Sequence, residues 1–146
     1  MNLLTLITED ITELLIKIIE FTIARQKILT QNITNYRDPG FAPKDLEVDE
    51  FSNLLNAAIN EHIQNQRLIF CDTQNIKFNI NGGLQAKSLV DESARQLLEE
   101  DQDEYIESQI NKLFENSLNQ RVAAELLRQK QGTIKIDYRT ITYCDH

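Results

Sequence analysis

Hydrophobic residues at the start of the chain recur at the three- and four-residue steps that keep side chains on one helix face. Charged residues fall outside that face, so the stripe is continuous and apolar. It consists of Leu4, Ile7, Ile11, Leu14, Ile18 and Phe21, widened by Leu15 and Ile19. We therefore predict one long helix over residues 1–35. Its wide stripe suits either a core helix of a small bundle or a helix that packs against neighbouring subunits.

A second apolar stripe occupies the last third of the chain, from about Tyr105 onward. It contains Ile106, Ile110, Leu113, Phe114, Leu118, Val122, Leu126 and Leu127. Two helices of this kind can bury their stripes on each other. We predict a mainly α fold in which the long N- and C-terminal amphipathic helices pack as an antiparallel coiled-coil-like pair. Part of each stripe stays uncovered in such a pair, and we expect neighbouring subunits to cover it.

The middle of the chain has a different pattern. Residues 50–66 carry helical spacing and predict a second helix. Farther on, Ile76, Phe78 and Ile80 alternate with polar residues and precede Asn81-Gly82-Gly83, which predicts a short β-hairpin with its return strand within residues 84–90. Residues 91–107 are strongly acidic. They lack the central glycine and ligand order of a calcium loop, so we interpret them as a solvated face or a mobile segment.

Composition narrows the functional classes. The formal net charge of −8 argues against nucleic-acid binding, which needs clustered Lys and Arg. Charges within the apolar first 21 residues argue against a membrane span, and no basic start or cleavage site indicates a secretory signal. Cys71 and Cys144 match no metal-ligand spacing and are interpreted as free thiols or, alternatively, one disulfide. We predict no catalytic, cofactor-binding or metal-binding residues, and no enzymatic activity.

Several local patterns meet where the first helix is predicted to end. Asn32 and Asn35 lie three residues apart, within reach of one helix face, and Asn35 tolerates the left-handed conformation that closes many helices. Pro39-Gly40 suits the centre of a type II turn, and Phe41 follows it with a ring that can pack back on the helix. The asparagines are either solvated at a fraying helix end or buried between helices, where an amide fixes register because a slipped pairing leaves it unsatisfied.

The same stretch resembles the N-terminal pattern of flagellar basal-body rod proteins, and among them it is most similar to the proximal-rod subunits. The matching residues are Arg25, Ile28-Leu29, Asn32-Ile33-Thr34-Asn35, Pro39-Gly40-Phe41 and Lys44-Asp45. The chain departs from the pattern at Tyr36-Arg37 and Asp38. Near the other end, Glu115-Asn116-Ser117-Leu118, Leu126-Leu127 and Lys130 are similar to the C-terminal helix of the same family.

The resemblance implies a structural subunit of the bacterial flagellar rod, which crosses the periplasm and transmits torque through packed helices. It implies export without a cleaved signal by the flagellar export apparatus, and contacts with other rod and basal-body subunits and with further copies. Asn32, Asn35, Pro39, Gly40 and Phe41 would then set the docking geometry. The helix seam of the inner layer would be Leu4, Ile7, Ile11, Leu14, Ile18, Leu113, Leu118, Val122 and Leu126.

The resemblance divides the chain into an N-terminal rod helix (1–38), a turn, connector and variable middle region (39–104), and a C-terminal rod helix with its tail (105–146). It implies helix to about Tyr138, although Ile134, Ile136 and Tyr138 alternate as in a strand. The alternative function is a soluble acidic helical binding protein, such as a cytoplasmic secretion chaperone. Such a protein would use the same apolar helices to hold a client.

Overall fold

The structure is a computed structural model that describes the backbone of residues 3–131 and 141–144, and the side chains of residues 11–130 and Cys144. The described chain is mainly helical. Two long helices, α1 (Leu3–Thr34) and α4 (Gln102–Gln131), pack together. Two shorter helices, α2 (Val48–Asn65) and α3 (Glu92–Glu100), lie between them in sequence. The terminal helices and the helix predicted over residues 50–66 are thus confirmed.

Short strands join in three separate pairs. β1 (Lys44–Asp45) pairs antiparallel with β5 (Leu89–Val90), and β3 (Ile76–Phe78) pairs antiparallel with β4 (Leu84–Ala86). β2 (Leu68–Phe70) pairs parallel with β6 (Ile141–Tyr143), which brings the end of the chain back to its middle. The predicted hairpin is confirmed as β3–β4, but Ile80 lies in its turn and is 98% exposed instead of continuing the strand.

The hydrophobic core lies where α1, α2 and the strands meet. Phe21 of α1 stacks on Phe51 of α2 with ring centroids 4.1 Å apart, and Phe70 and Phe78 pack beside each other from β2 and β3. Around them cluster Leu46, Leu54, Ala58, Leu68 and Ile76, with Leu14, Ile18 and Ile28 of α1 partly buried against them. Leu14, Ile18 and Phe21 of the α1 stripe therefore pack on this core.

Part of the polar face of α1, around residues 13–20, is also covered, which the sequence pattern did not indicate. Glu13 and Lys17 are both buried and form an ion pair at 3.0 Å. Lys17 also donates a hydrogen bond to the carbonyl of Gly82, and Glu20 accepts one from the Leu84 N–H at 2.7 Å. The β3–β4 hairpin thus docks on the charged side of α1, and burial of its charges is compensated by pairing.

Of the two conformations expected at the end of α1 and in the turn that follows, the structure shows one. The Phe41 N–H bonds to the Asp38 carbonyl at 3.1 Å and Gly40 has φ +75°, so the predicted type II turn at Pro39-Gly40 is confirmed. The expectation of a left-handed Asn35 is wrong. Within the described part of the chain, the non-glycine residue with positive φ is Gln66, which closes α2 and donates its N–H to His62.

The acidic stretch after β5 is largely helical, which corrects the interpretation as a mobile segment. Asp91 caps α3 by accepting a hydrogen bond from the Ala94 N–H at 3.0 Å, and the Ala94 side chain is buried. Most of the acidic side chains of α3 and of the first turn of α4 remain exposed, as the solvated-face interpretation predicted.

The structure describes only part of the predicted C-terminal tail. α4 ends at Gln131, and the part of the helix predicted over residues 132–138 lies outside the described residues. Cys71 and Cys144 form a disulfide with their Cα atoms 4.8 Å apart, so the free-thiol interpretation is wrong and the alternative of one bridge is confirmed. This bond and the β2–β6 pairing together join the end of the chain to the segment after α2.

Candidate docking region at the junction of the terminal helices

Asn32 lies at the centre of a buried polar junction between α1, the connector and α4. Its side-chain Nδ2 donates to the Lys44 carbonyl at 2.7 Å, and its Oδ1 accepts from the Lys44 N–H at 3.1 Å. A planar amide can make both bonds because it presents a donor and an acceptor side by side. The side chain is 2% exposed, so the interpretation of Asn32 as buried is confirmed over the solvated one.

Helix α4 completes the junction from the other side. Nδ2 of Asn32 also donates to Oε1 of Gln109 at 2.9 Å, and the Tyr105 hydroxyl donates to the Asn32 carbonyl at 2.7 Å. Tyr105 and Gln109 are fully buried. The junction therefore joins three segments through one asparagine, and a shift of any segment by one residue would break several of these hydrogen bonds.

Charged groups surround the junction in a second network. Arg25 of α1 binds Asp45 of β1 through two hydrogen bonds, of 2.8 and 2.9 Å. Lys112 of α4 binds Asp91 at 2.9 Å and lies 3.9 Å from Asp45. The β1–β5 pairing brings the two carboxylates together, because Asp91 directly follows β5 and its N–H bonds to the Pro43 carbonyl. The two cations and two anions balance in charge.

The environment of the junction shifts two pKa values. Burial raises the pKa of the Tyr105 hydroxyl to about 12, and the nearby negative charge of Asp91 acts in the same direction. For Asp91, partial burial opposes ionisation, but the hydrogen bonds from Lys112 and from the Ala94 N–H outweigh it and hold the pKa below its ordinary value. At neutral pH the Tyr105 hydroxyl is therefore protonated and the Asp91 carboxylate is ionised.

A third polar contact joins the terminal helices away from the junction. The Asn116 side chain is buried and donates to the Thr22 carbonyl at 2.8 Å. Farther along, Leu15 of α1 and Ala123 of α4 are buried and line one groove. The buried face of α4 consists of Tyr105, Gln109, Asn116 and Ala123, with Lys112 half-buried among them.

The burial of Tyr105, Gln109 and Asn116 was missed in the sequence analysis because these side chains are polar, whereas Ala123-Ala124 was expected to allow close helix approach. Their positions follow three- and four-residue steps, as the apolar residues do. If amides and tyrosine had been counted as possible interior residues, the same spacing would have indicated a second, polar face of α4 that can be buried.

The other predicted docking residues lie around the turn. Asn35 is half-buried, and its side chain accepts a hydrogen bond from the Thr34 hydroxyl at 3.2 Å. Pro39 and Gly40 are exposed, and Phe41 is half-buried. The structure therefore places Asn32 inside the molecule and the Pro39-Gly40 turn at its surface. Whether the turn contacts another subunit stays a prediction.

The residues predicted for the helix seam fall into different environments. Leu4 and Ile7 lie in α1, but their side chains are outside the described residues. Leu14, Ile18 and Leu113 are half-buried, and Ile11 is 36% exposed. Leu118, Val122 and Leu126 are exposed, so within a single subunit they do not form a closed seam with α1, because α4 turns its polar face to that helix. Their burial between subunits stays a prediction.

The uncovered apolar residues of α4 form one stripe at successive four-residue steps. This α4 stripe consists of Ile110, Phe114, Leu118, Val122 and Leu126. Its C-terminal half borders a groove of about 430 Å³ whose floor is formed by Leu15, Ile18 and Phe21 of α1 and whose far wall is formed by α2. A contiguous exposed apolar surface of this kind is typical of an interaction site.

Within the part of the chain that the structure describes, no group of three or more His, Cys, Asp and Glu side chains is arranged to hold a metal ion. The helices of the same part include none with the length and apolarity of a membrane span. Comparisons with protein-family models, curated proteins and solved structures gave no match for this chain. The functional conclusion therefore depends on the junction, the α4 stripe and the disulfide.

Proposed function

We propose that the protein is a structural subunit of the bacterial flagellar basal-body rod, of the proximal-rod type, and that it assembles through its terminal helices to transmit torque. The observation that carries the proposal is a correspondence between motif and contact. Residues that carry the resemblance to rod proteins contact one another or the facing helix: Arg25 binds Asp45, and Asn32 binds Lys44. Asn116 of the C-terminal motif binds the backbone of α1.

The same contacts support the antiparallel helix pair that a rod subunit requires. Residue 32 meets residues 105 and 109, residue 22 meets residue 116, and Leu15 shares a groove with Ala123. As the contacting residue on α1 moves toward the N-terminus, its partner on α4 moves toward the C-terminus. In the proposed subunit the pair is held by polar contacts, which fix its register, while the apolar α4 stripe is free for neighbouring subunits.

The proposed mechanism is mechanical and involves no chemical turnover. Neighbouring subunits would cover the α4 stripe through contacts that repeat from one subunit to the next without closing, as a filament requires. Torque applied to one subunit would pass through paired helices whose relative slip is opposed by the buried Asn32 and Asn116 hydrogen bonds. Other rod and basal-body subunits are the proposed partners at the two ends.

The disulfide supports a location outside the cytoplasm. Disulfide bonds persist in oxidising compartments such as the bacterial periplasm and are rare in the reducing cytosol. Cys71 and Cys144 are 73 residues apart in sequence, so their bond forms only after distant parts of the chain have come together. This order of events fits a subunit that is exported unfolded by the flagellar export apparatus and completes its fold in the periplasm-spanning rod.

The second candidate is the soluble acidic helical binding protein, such as a cytoplasmic secretion chaperone. The groove between α1, α2 and α4 favours it, because about 430 Å³ of apolar space bordered by exposed leucines and valines can receive a client helix. A cytoplasmic location would leave the disulfide reduced. The redox state of Cys71 and Cys144 in cells therefore discriminates between the two candidates.

Deletion and complementation in the native bacterium test the proposed function. A deletion strain should lack rods, hooks and filaments, and the wild-type gene should restore them. Asn32→Ala should restore fewer rods than the matched variant Asn60→Ala, whose side chain is exposed on α2 and lies outside the junction and the predicted docking residues, when both proteins accumulate to equal levels. Complete rods in the deletion strain would refute the proposal, and loss of secretion of other proteins from cells with complete rods would favour the binding protein.

A further inference from the structure

The α4 stripe is symmetrical about its central residue. Its five members are spaced four residues apart, so Leu118 has two apolar residues on each side at equal distances. An antiparallel copy of the same helix aligned at Leu118 places Phe114 opposite Val122, because four-residue steps advance by about 40° around the helix and keep these three residues on one face. Such self-complementarity is what a two-fold contact between identical subunits requires.

The partner side of this contact offers space for the most exposed ring. Phe114 is 72% exposed, and Val122 borders the groove whose floor is formed by Phe21 and Ile18. A second copy in the antiparallel alignment therefore brings its Phe114 over that groove, twice per pair. Aromatic residues that enter apolar recesses commonly dominate the free energy of an interface.

Charge along α4 favours the same orientation. The exposed residues before the stripe are acidic at Asp103, Glu104 and Glu107. Residues 118–130 carry Arg121, Arg128 and Lys130 against one acid, Glu125, which pairs with Arg128, so this half keeps a net positive charge. An antiparallel partner sets each acidic end toward the basic end of the other copy. A parallel partner in register would set like charges together, which is unfavourable. Opposed helix dipoles add to the preference.

We propose that in the free protein the α4 stripe is covered by a second copy, as a two-fold antiparallel dimer centred on Leu118. The dimer does not depend on the rod function. If the protein is a rod subunit, the dimer covers the same surface that contacts neighbouring subunits in the rod. During assembly, each subunit must therefore replace the dimer contact with the rod contact.

Sedimentation of the purified full-length protein tests the existence of the dimer. We expect a concentration-dependent dimer for the wild type, and a dissociation constant increased by about 100-fold or more for Phe114→Glu, because a charge then enters an apolar recess. Ile63→Glu is the matched control, since Ile63 is 70% exposed on α2 and lies outside the stripe. A wild-type monomer at all concentrations, or equal effects of the two variants, would overturn the proposal.

Disulfide cross-linking tests the orientation under mild oxidation, with the wild type as the control for the native cysteines. Leu118→Cys should cross-link to itself, and Phe114→Cys should cross-link to Val122→Cys when the two variants are mixed. Self-cross-linking of Phe114→Cys would indicate a parallel pair and overturn the proposal. Open polymers in which Leu118→Cys stays uncross-linked would overturn the dimer without contradicting the rod function. A cross-linked dimer of a protein that has no role in rod formation would support the dimer and contradict the rod function.

Discussion

The side-chain amide of Asn32 pairs with both backbone polar groups of Lys44, as a neighbouring strand would, at 2.7 and 3.1 Å. Twelve residues separate the two in sequence, and the Pro39-Gly40 turn brings them together. The same amide also donates to Gln109 of α4. One side chain therefore holds three segments together: the end of α1, the connector and α4.

Asn32→Ala should therefore destabilise the protein by about 2–3 kcal/mol, because it leaves the part-buried backbone groups of Lys44 and the buried Gln109 oxygen without the Asn32 amide as their partner. Asn35→Ala, which loses a contact with an exposed hydroxyl, should cost less than about 1 kcal/mol. Urea unfolding followed by circular dichroism measures both values. Equal free energies of unfolding for the two variants would show that the Asn32 hydrogen bonds do not hold the junction.

The tyrosine at the junction should make stability depend on alkaline pH. Its folded pKa of about 12 lies above the ordinary value of 10.0, so the contribution of Tyr105 to stability is fully present below pH 10 and is lost as pH rises toward 12. Absorbance of the phenolate should show one tyrosine that ionises near pH 12. That late group should disappear in Tyr105→Phe and persist in Tyr36→Phe; the reverse assignment would contradict the burial of Tyr105.

Asp91 should act at the acid end of the range. Its folded pKa lies below the ordinary 3.8, so its contribution is present above that value and is lost as pH falls through the folded pKa. Asp91→Asn keeps a capping side chain but removes the charge. We expect its free energy of unfolding to fall less than that of the wild type between neutral and acid pH, whereas Glu99→Gln, at an exposed position, should follow the wild type.

The disulfide should stabilise the protein mainly by restricting the unfolded chain. For cysteines 73 residues apart, the chain-entropy estimate is about 4 kcal/mol. The double variant Cys71→Ser/Cys144→Ser should lose up to about that amount. Hydrogen exchange should also become faster at β6 while α1 and α4 stay protected. Loss of protection throughout α4 would mean that the bond holds more than the tail.

Patterns that repeat along the chain allowed much of the fold to be predicted. The three–four spacing gave both terminal helices, and alternation of Ile76 and Phe78 before Asn81-Gly82-Gly83 gave the hairpin. The buried state of Asn32 was one of two open interpretations, and family resemblance favoured it. For the helices and the hairpin, the residues that determine the structure lie close together in sequence, where spacing reports directly on geometry.

The remaining features depend on contacts between distant segments. Glu13 and Lys17 look like solvated charges because their spacing does not show that a hairpin from residues 76–86 will cover them. Cys71 and Cys144 carry no spacing pattern across 73 residues. α4 has two faces with helical spacing, one polar and one apolar, and hydrophobicity favours the wrong one for the contact with α1. Polar partners on α1, such as Thr22 and Asn32, decide which face of α4 turns toward α1.

The location of the protein in the cell tests the central claim most directly. Basal bodies can be isolated from the native bacterium without reducing agent and their subunits quantified by mass spectrometry, with the Cys71–Cys144 peptide pair as the marker of the folded chain. The account predicts that the protein co-purifies with the rod in a fixed ratio to other rod subunits and carries the intact disulfide. A protein confined to the cytoplasmic fraction, with both thiols reduced, would contradict it and favour the soluble binding protein.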